Sequence, residues 1–133
     1  MYKIPKVEKK IWGWRTRVYS DGGVELYLLD VEPVEGKPVA CSIHHHTMKY
    51  NRFYIISGKI GLEHGVGPEV ERPLDVSGAQ WQLKAGEEYT VPPGDVHRFI
   101  VTEKAQIIET TWADAITEDI HRQDEGHVLE VWP

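Results

Sequence analysis

Short β-branched and aromatic runs, broken every eight or so to twelve residues by glycine, proline or aspartate, dominate this chain and leave little room for helical periodicity. That rhythm constrains the fold more than any other feature, because strands this short must pair into a sandwich or a barrel to bury one face. The clearest hairpin is "WGWRTRVYSDGGVELYLLDV", where Asp21-Gly22-Gly23 supplies turn residues that tolerate positive φ between two extended runs. "EPVEGKPV" reads as a loop. Further strands are expected at about 40–45, 52–56, 59–63, 80–84, 88–91, 98–102 and 106–111. "HGVGPEVERPLDVSG" reads as a long surface connection, with room for a short edge strand, and such loops often border a binding mouth. After Trp112, "ADAITEDIHRQDEGHV" fits a short helix or an extended flap, and periodicity does not choose between them.

Composition narrows the function. At 133 residues the chain is expected to form one domain. Fifteen basic against twenty-one acidic residues give a net charge of -6, which argues against nucleic acid as the partner. No apolar run reaches the roughly 18 residues of a membrane span, and residues 1–10 lack the apolar stretch of a secretory signal, so the expected location is the cytoplasm. The single cysteine, Cys41, excludes an intrachain disulfide, and its place in "VACSI" reads as a buried thiol.

Chemistry concentrates in "CSIHHHTMKYNRFYIISG". Alternation along a strand sends His44 and His46 to one face and His45 to the other. The pair alone is a weak sign of a metal, since hydrogen-bonded histidines also occur at this spacing. A second segment, "GEEYTVPPGDVHRFIV", places a rigid Pro-Pro-Gly-Asp turn before His97. His44, His46, Asn51 and Gly58 in the first segment, with Gly86, Pro92, Gly94 and His97 in the second, resemble the two motifs of the cupin superfamily. The departures are an absent glycine before the histidines, Asn51 at the usual glutamate and Val101 at the usual asparagine. The likeness covers about residues 22–112, with the N-terminal hairpin strand and a C-terminal flap outside that core.

The resemblance implies an all-β double-stranded β-helix, a jelly-roll barrel, in which His44, His46 and His97 converge on a divalent metal ion: zinc, manganese, nickel or iron. Asn51 then either binds weakly through its carbonyl or leaves a three-histidine centre with open positions. Inward His44 predicts that Ala40 and Ser42 share its face, as Phe53 and Ile55 share that of Asn51, and Phe99 and Val101 that of His97. Lys49 and Tyr50 fall between the ligand strands, near the rim, and Tyr50 is taken as a candidate catalytic residue. Arg52 and Arg98 alternate outward, toward solvent, and His64, His121 and His127 are read as solvated.

A second likeness joins His97, Arg98, Ile108, Glu109, Glu118, Asp119, Ile120, Arg122 and Asp124 to the end of the cupin domain of type II mannose-6-phosphate isomerases. It implies a sugar or sugar-phosphate isomerase or epimerase acting on a small molecule, with Glu109 as candidate base and Arg122 either binding phosphate or pairing with Asp119 or Asp124. A three-histidine iron dioxygenase and a non-catalytic binding module are the alternatives. Trp12, Trp14 and Trp132, read as exposed aromatics at sheet edges, together with the likeness, point to a homodimer.

Overall fold

The computed structural model describes residues 6–65, 79–113 and 120–130. Strands account for all regular structure among them, and no helix long and apolar enough to cross a membrane is present among these residues. In chain order the strands are β1 (Lys6–Lys10), β2 (Gly13–Asp21), β3 (Val24–Val31), β4 (Val39–Ala40), β5 (His44–His46), β6 (Tyr50–Ser57), β7 (Lys59–Gly65), β8 (Ala79–Lys84), β9 (Glu88–Val91), β10 (Val96–Val101), β11 (Ala105–Trp112), β12 (Ile120–Arg122) and β13 (His127–Val128). One antiparallel sheet runs β1-β2-β3-β11-β6-β9. In the other, β10 lies between β7, which carries β8, and the β4 and β5 segments, which carry β13 and β12.

The expected hairpin forms as β2–β3, with Gly22 at φ +58 in its turn. β1, β12 and β13 had no strand signal in the sequence, and the long connection after Gly65 lies outside the described residues.

Inward-facing rows change character along β3, β11 and β6 of the first sheet. Val31 and Leu29 lead to Tyr27 and Glu25 on β3, Ile107 leads to Glu109 and Thr111 on β11, and Ile55 and Phe53 lead to Asn51 on β6. Register places these changes side by side, since Glu109 sits opposite Tyr27 and Phe53, and Thr111 opposite Glu25 and Asn51. One end of the interior is therefore a closed apolar core, completed by Ile60, Leu62, Phe99 and Val101, and the other is a polar mouth.

The segment expected as one strand at 40–45 is split. Ala40 pairs with Ile100 and His44 with His97, so the β4–β5 side carries one residue more than β10 between the two pairs, which is the count of a β-bulge. Cys41 holds the irregular stretch: its backbone N–H donates to the Phe99 carbonyl at 3.1 Å, and its Sγ accepts the Phe99 N–H at 3.2 Å. The slip corrects one expectation. Val39 and Cys41 face the main core, whereas Ala40 packs separately against Ile100 and Leu129 and does not share the face of His44.

Candidate metal centre

His44 and His46 sit two apart on β5, and His97 lies on β10 directly opposite His44. All three are buried, and one ligand atom from each falls within 4.8 Å of the others. The intervening His45 is half-buried on the other face. The ring of His44 is 5.1 Å from that of His46 and 4.4 Å from that of His97, centroid to centroid.

Two of the rings are oriented by backbone carbonyls. Nδ1 of His44 donates to the Ser42 carbonyl at 2.7 Å, and Nδ1 of His97 donates to the Asp95 carbonyl at 3.1 Å. Holding the proton on Nδ1 turns the Nε2 lone pair toward the group, the arrangement by which ligand histidines are usually fixed. Nε2 of His97 is buried without a hydrogen-bond partner. Burial pushes the His97 imidazole down to about 4, and burial together with the neighbouring His97, His46 and Arg122 holds His44 well below the ordinary range. Both rings are neutral at pH 7, which is the ligating form.

Three imidazoles suit a borderline transition-metal ion better than calcium or magnesium, which prefer oxygen donors. The residues therefore fit a divalent ion of the zinc, manganese, nickel or iron kind. The orphaned Nε2 of His97 gives that fit its physical motive.

Around this group lies a cavity of about 560 Å³, within the size range of small-molecule sites. Asn51 and Glu109 reach it from the first sheet. The Asn51 amide Nδ2 donates to Glu109 Oε2 at 3.1 Å, leaving Asn51 Oδ1 buried without a hydrogen-bond partner, as is the Thr111 hydroxyl on the same cavity. The other Glu109 oxygen lies 3.6 Å from Nε of Arg15, whose guanidinium stacks 3.6 Å over the Tyr27 ring. So the structure brings His44, His46, Asn51 and Glu109 to one cavity, with His97 grouped beside the two histidines. Tyr50 lies outside it: as the neighbour of inward Asn51 it faces away, 41% exposed and stacked on Trp112. Lys49 does line the cavity.

Two polar residues and one tryptophan differ from their sequence reading. Arg98 faces away from the cavity as alternation requires, yet it is buried, paired across β10–β7 with Glu63 through contacts of 2.6 and 3.4 Å. His64 belongs to β7 and is half-buried between the Tyr89 hydroxyl at 2.6 Å and Asp95 Oδ2 at 2.7 Å. Trp12 is buried edge-on against Phe99, while Trp14 is exposed. Arg52 is exposed and paired with Glu88, and His127 is exposed near Asp124. Trp132, Glu118, Asp119 and the His121 side chain lie outside the described residues.

Arg122 does not pair with Asp124, and Asp119, its other expected partner, lies outside the described residues. Its Nη1 donates to the Ser42 hydroxyl at the cavity, and Asp124 Oδ1 instead accepts the N–H groups of Ile43 and Gly126. Sequence reasoning missed Arg15 altogether, for nothing in the β2 run marks it. Thr111 was within reach, being two residues beyond Glu109 on the same strand face.

Neither a protein-family model nor the sequence of a curated protein matches the chain. Solved structures do. A cupin-2 domain protein from Shewanella frigidimarina is 18% identical with TM-score 0.52, the match covering 72% of this chain and 76% of that one. A Klebsiella pneumoniae protein with a double-stranded β-helix domain is 19% identical with TM-score 0.59, covering 83% of each. A variant of PAC13 from Streptomyces, solved with uridine, is 15% identical with TM-score 0.65, covering 91% of this chain and 86% of that one. At these identities the likeness concerns architecture, and the two antiparallel sheets closing on a polar mouth agree with it: the chain has the double-stranded β-helix fold of cupin-type proteins.

Proposed function

We propose that the protein is a metal-dependent isomerase or epimerase acting on a small polar metabolite of the sugar or sugar-phosphate class. The observation that carries this reading is the buried Glu109 carboxylate sharing a cavity of about 560 Å³ with His44 and His46, whose ligand atoms converge with that of buried His97. His44, His46 and His97 would hold the ion, which when bound supplies Lewis-acid polarisation of a carbonyl. Glu109 takes a proton from the carbon beside that carbonyl and returns it to the carbonyl carbon, while the hydroxyl proton of the first carbon passes to the former carbonyl oxygen, so the carbonyl moves one carbon along. Asn51 fixes the carboxylate by donating to Oε2, and Arg15 steadies the other oxygen. The likeness of Glu109 and Arg122 to positions in type II mannose-6-phosphate isomerases supports the substrate class.

The test has two parts. Elemental analysis of the purified protein should find a divalent transition metal near one equivalent. Proton NMR in D2O, run on a panel of aldoses, ketoses and their phosphates, should show metal-dependent exchange at the carbon next to the carbonyl, falling by about 10²–10⁴-fold in Glu109→Gln. A panel without exchange in the metal-loaded protein refutes the reading. The lack of a carboxylate in the ligating group favours one second reading, a three-histidine iron dioxygenase, for which Fe(II)-dependent oxygen uptake is the discriminating measurement. A protein that binds ligands without turnover under either regime is instead a binding module. The outer face of the first sheet, with Val24, Tyr50, Tyr54 and Ile56 exposed, is the surface we propose for a homodimer, which light scattering tests.

A further inference from the structure

We infer that the ligand of this cavity is an anion, and that Arg122 seats its carboxylate or phosphate group beside His44. The inference rests on the cavity being the substrate site, but not on the metal. Charge is the first observation. The chain carries a net charge of -6, yet the cavity is lined by five cationic side chains against three carboxylates, a local excess of two with the histidines neutral. Internal pairing leaves that excess exposed. Glu8 holds Lys10 at 3.2 Å and Arg15 at 3.6 Å, and Arg15 also meets Glu109, so Lys9, Lys49 and Arg122 stand against Glu125 alone. Lys9 is engaged over the Trp14 ring, 4.5 Å from its centroid.

Placement is the second. β12 pairs with β5 so that Arg122 lies directly opposite His44. Its guanidinium is tethered by Nη1 to the Ser42 hydroxyl, which is itself 3.1 Å from Nδ1 of His44. The carboxylate nearest in sequence, Asp124, is turned to the Ile43 and Gly126 N–H groups, and no carboxylate among the described residues pairs with Arg122. A tethered guanidinium that spends one N–H on a neutral hydroxyl keeps donors in fork geometry for a two-oxygen anion. Lys49, half-buried on the same cavity, adds a second positive charge.

The experiment is calorimetric titration of chelator-treated protein with inorganic phosphate and with malonate, at low and at high salt. Saturable one-to-one binding of at least one probe is expected, weaker at high salt, and weakened about tenfold or more in Arg122→Gln. Arg122→Lys should fall between, and Lys49→Gln should weaken binding by less; equal melting temperatures for the four proteins exclude misfolding. Stronger binding of phosphate or of malonate tells which anion the fork prefers. Binding unchanged in Arg122→Gln, or no saturable binding of either anion, overturns the inference. Because the protein is metal-free, failure of the metal reading leaves this result standing. An anion that binds only after a divalent ion is added is held by the metal, and that outcome also overturns the role given to Arg122.

Discussion

Lowering the pH should unfold the metal-free protein through His97. In the folded state its imidazole is pushed down to about 4, whereas in the unfolded chain it returns to the ordinary value near 6.5. Between these values the unfolded state binds more protons, so stability rises with pH. The contribution is complete above pH 6.5 and is lost as the pH falls toward 4. A difference of roughly two and a half pH units at 1.36 kcal/mol each amounts to about 3 kcal/mol from this residue alone. His44, depressed in the same direction, adds to it. For a chain of 133 residues, about 3 kcal/mol corresponds to roughly 10 °C in melting temperature. The assay is urea unfolding of chelator-treated protein from pH 7.5 to pH 4, on the parent and on His97→Asn, whose amide can still donate to the Asp95 carbonyl but cannot titrate. Subtracting the two curves removes the titrating groups that His97 does not influence and leaves its own titration with its coupling to His44 and His46. The difference should fall by about 3 kcal/mol across the interval. A difference that stays flat within about 0.5 kcal/mol would refute the assignment of a buried neutral His97.

Other perturbations have equally definite signs. Glu63→Gln leaves Arg98 buried without its counter-charge and should cost about 3–5 kcal/mol in urea unfolding, while the double change Glu63→Leu with Arg98→Met should recover most of that; equal losses in the two would contradict the pairing. Gly58→Ala should destabilise by roughly 2–4 kcal/mol, because a Cβ there meets the Lys104 carbonyl oxygen at 2.4 Å in addition to the positive φ of +74. Gly86→Ala, with φ +89 and open space around the added carbon, should cost only about 1–2 kcal/mol in the same assay. Cys41, with its thiol raised to about 12 by burial, should resist thiol reagents in the native state and react at the rate of unfolding; rapid labelling of folded protein would place it outside the core.

Much of the site was legible because strand alternation is strict wherever the strands are regular. His44 and His46 share a face, Asn51 brings Phe53 and Ile55 with it, and Glu109 brings Ile107 and Thr111. Alternation also carries the answer on Tyr50, whose neighbour Asn51 points inward, but the reading of Tyr50 as loop concealed it. What the sequence hid depends on strand partners. Arg98 was expected in solvent since its side chain leaves the barrel interior, and only the β7 register reveals Glu63 opposite. His64 was read as loop because its bonds to Tyr89 and Asp95 join residues far apart in the chain. Ala40 lost its expected face to a bulge that no local residue announces, as Cys41-Ser42-Ile43 carries neither glycine nor proline. Arg122 was found as a residue but not as a neighbour of His44, since three-residue β12 is too short to carry a periodic signal.

The position of β10 has a kinetic consequence for the centre. Its six residues are all buried, and it is hydrogen-bonded to β7 on one side and to the β4 and β5 segments on the other. Amides in such a strand exchange with solvent only through openings that approach global unfolding. β5 meets β10 at the single His44–His97 pair and is otherwise held by three-residue β12 and the Gly94 N–H on the His46 carbonyl, so its amides should exchange through shallower openings than those of β10. On that prediction His97 stands on the more protected strand, and His44 and His46 on the less protected one. Uptake and release of whatever the imidazoles hold should keep the clock of β5 breathing, leaving the exchange protection of β10 almost untouched.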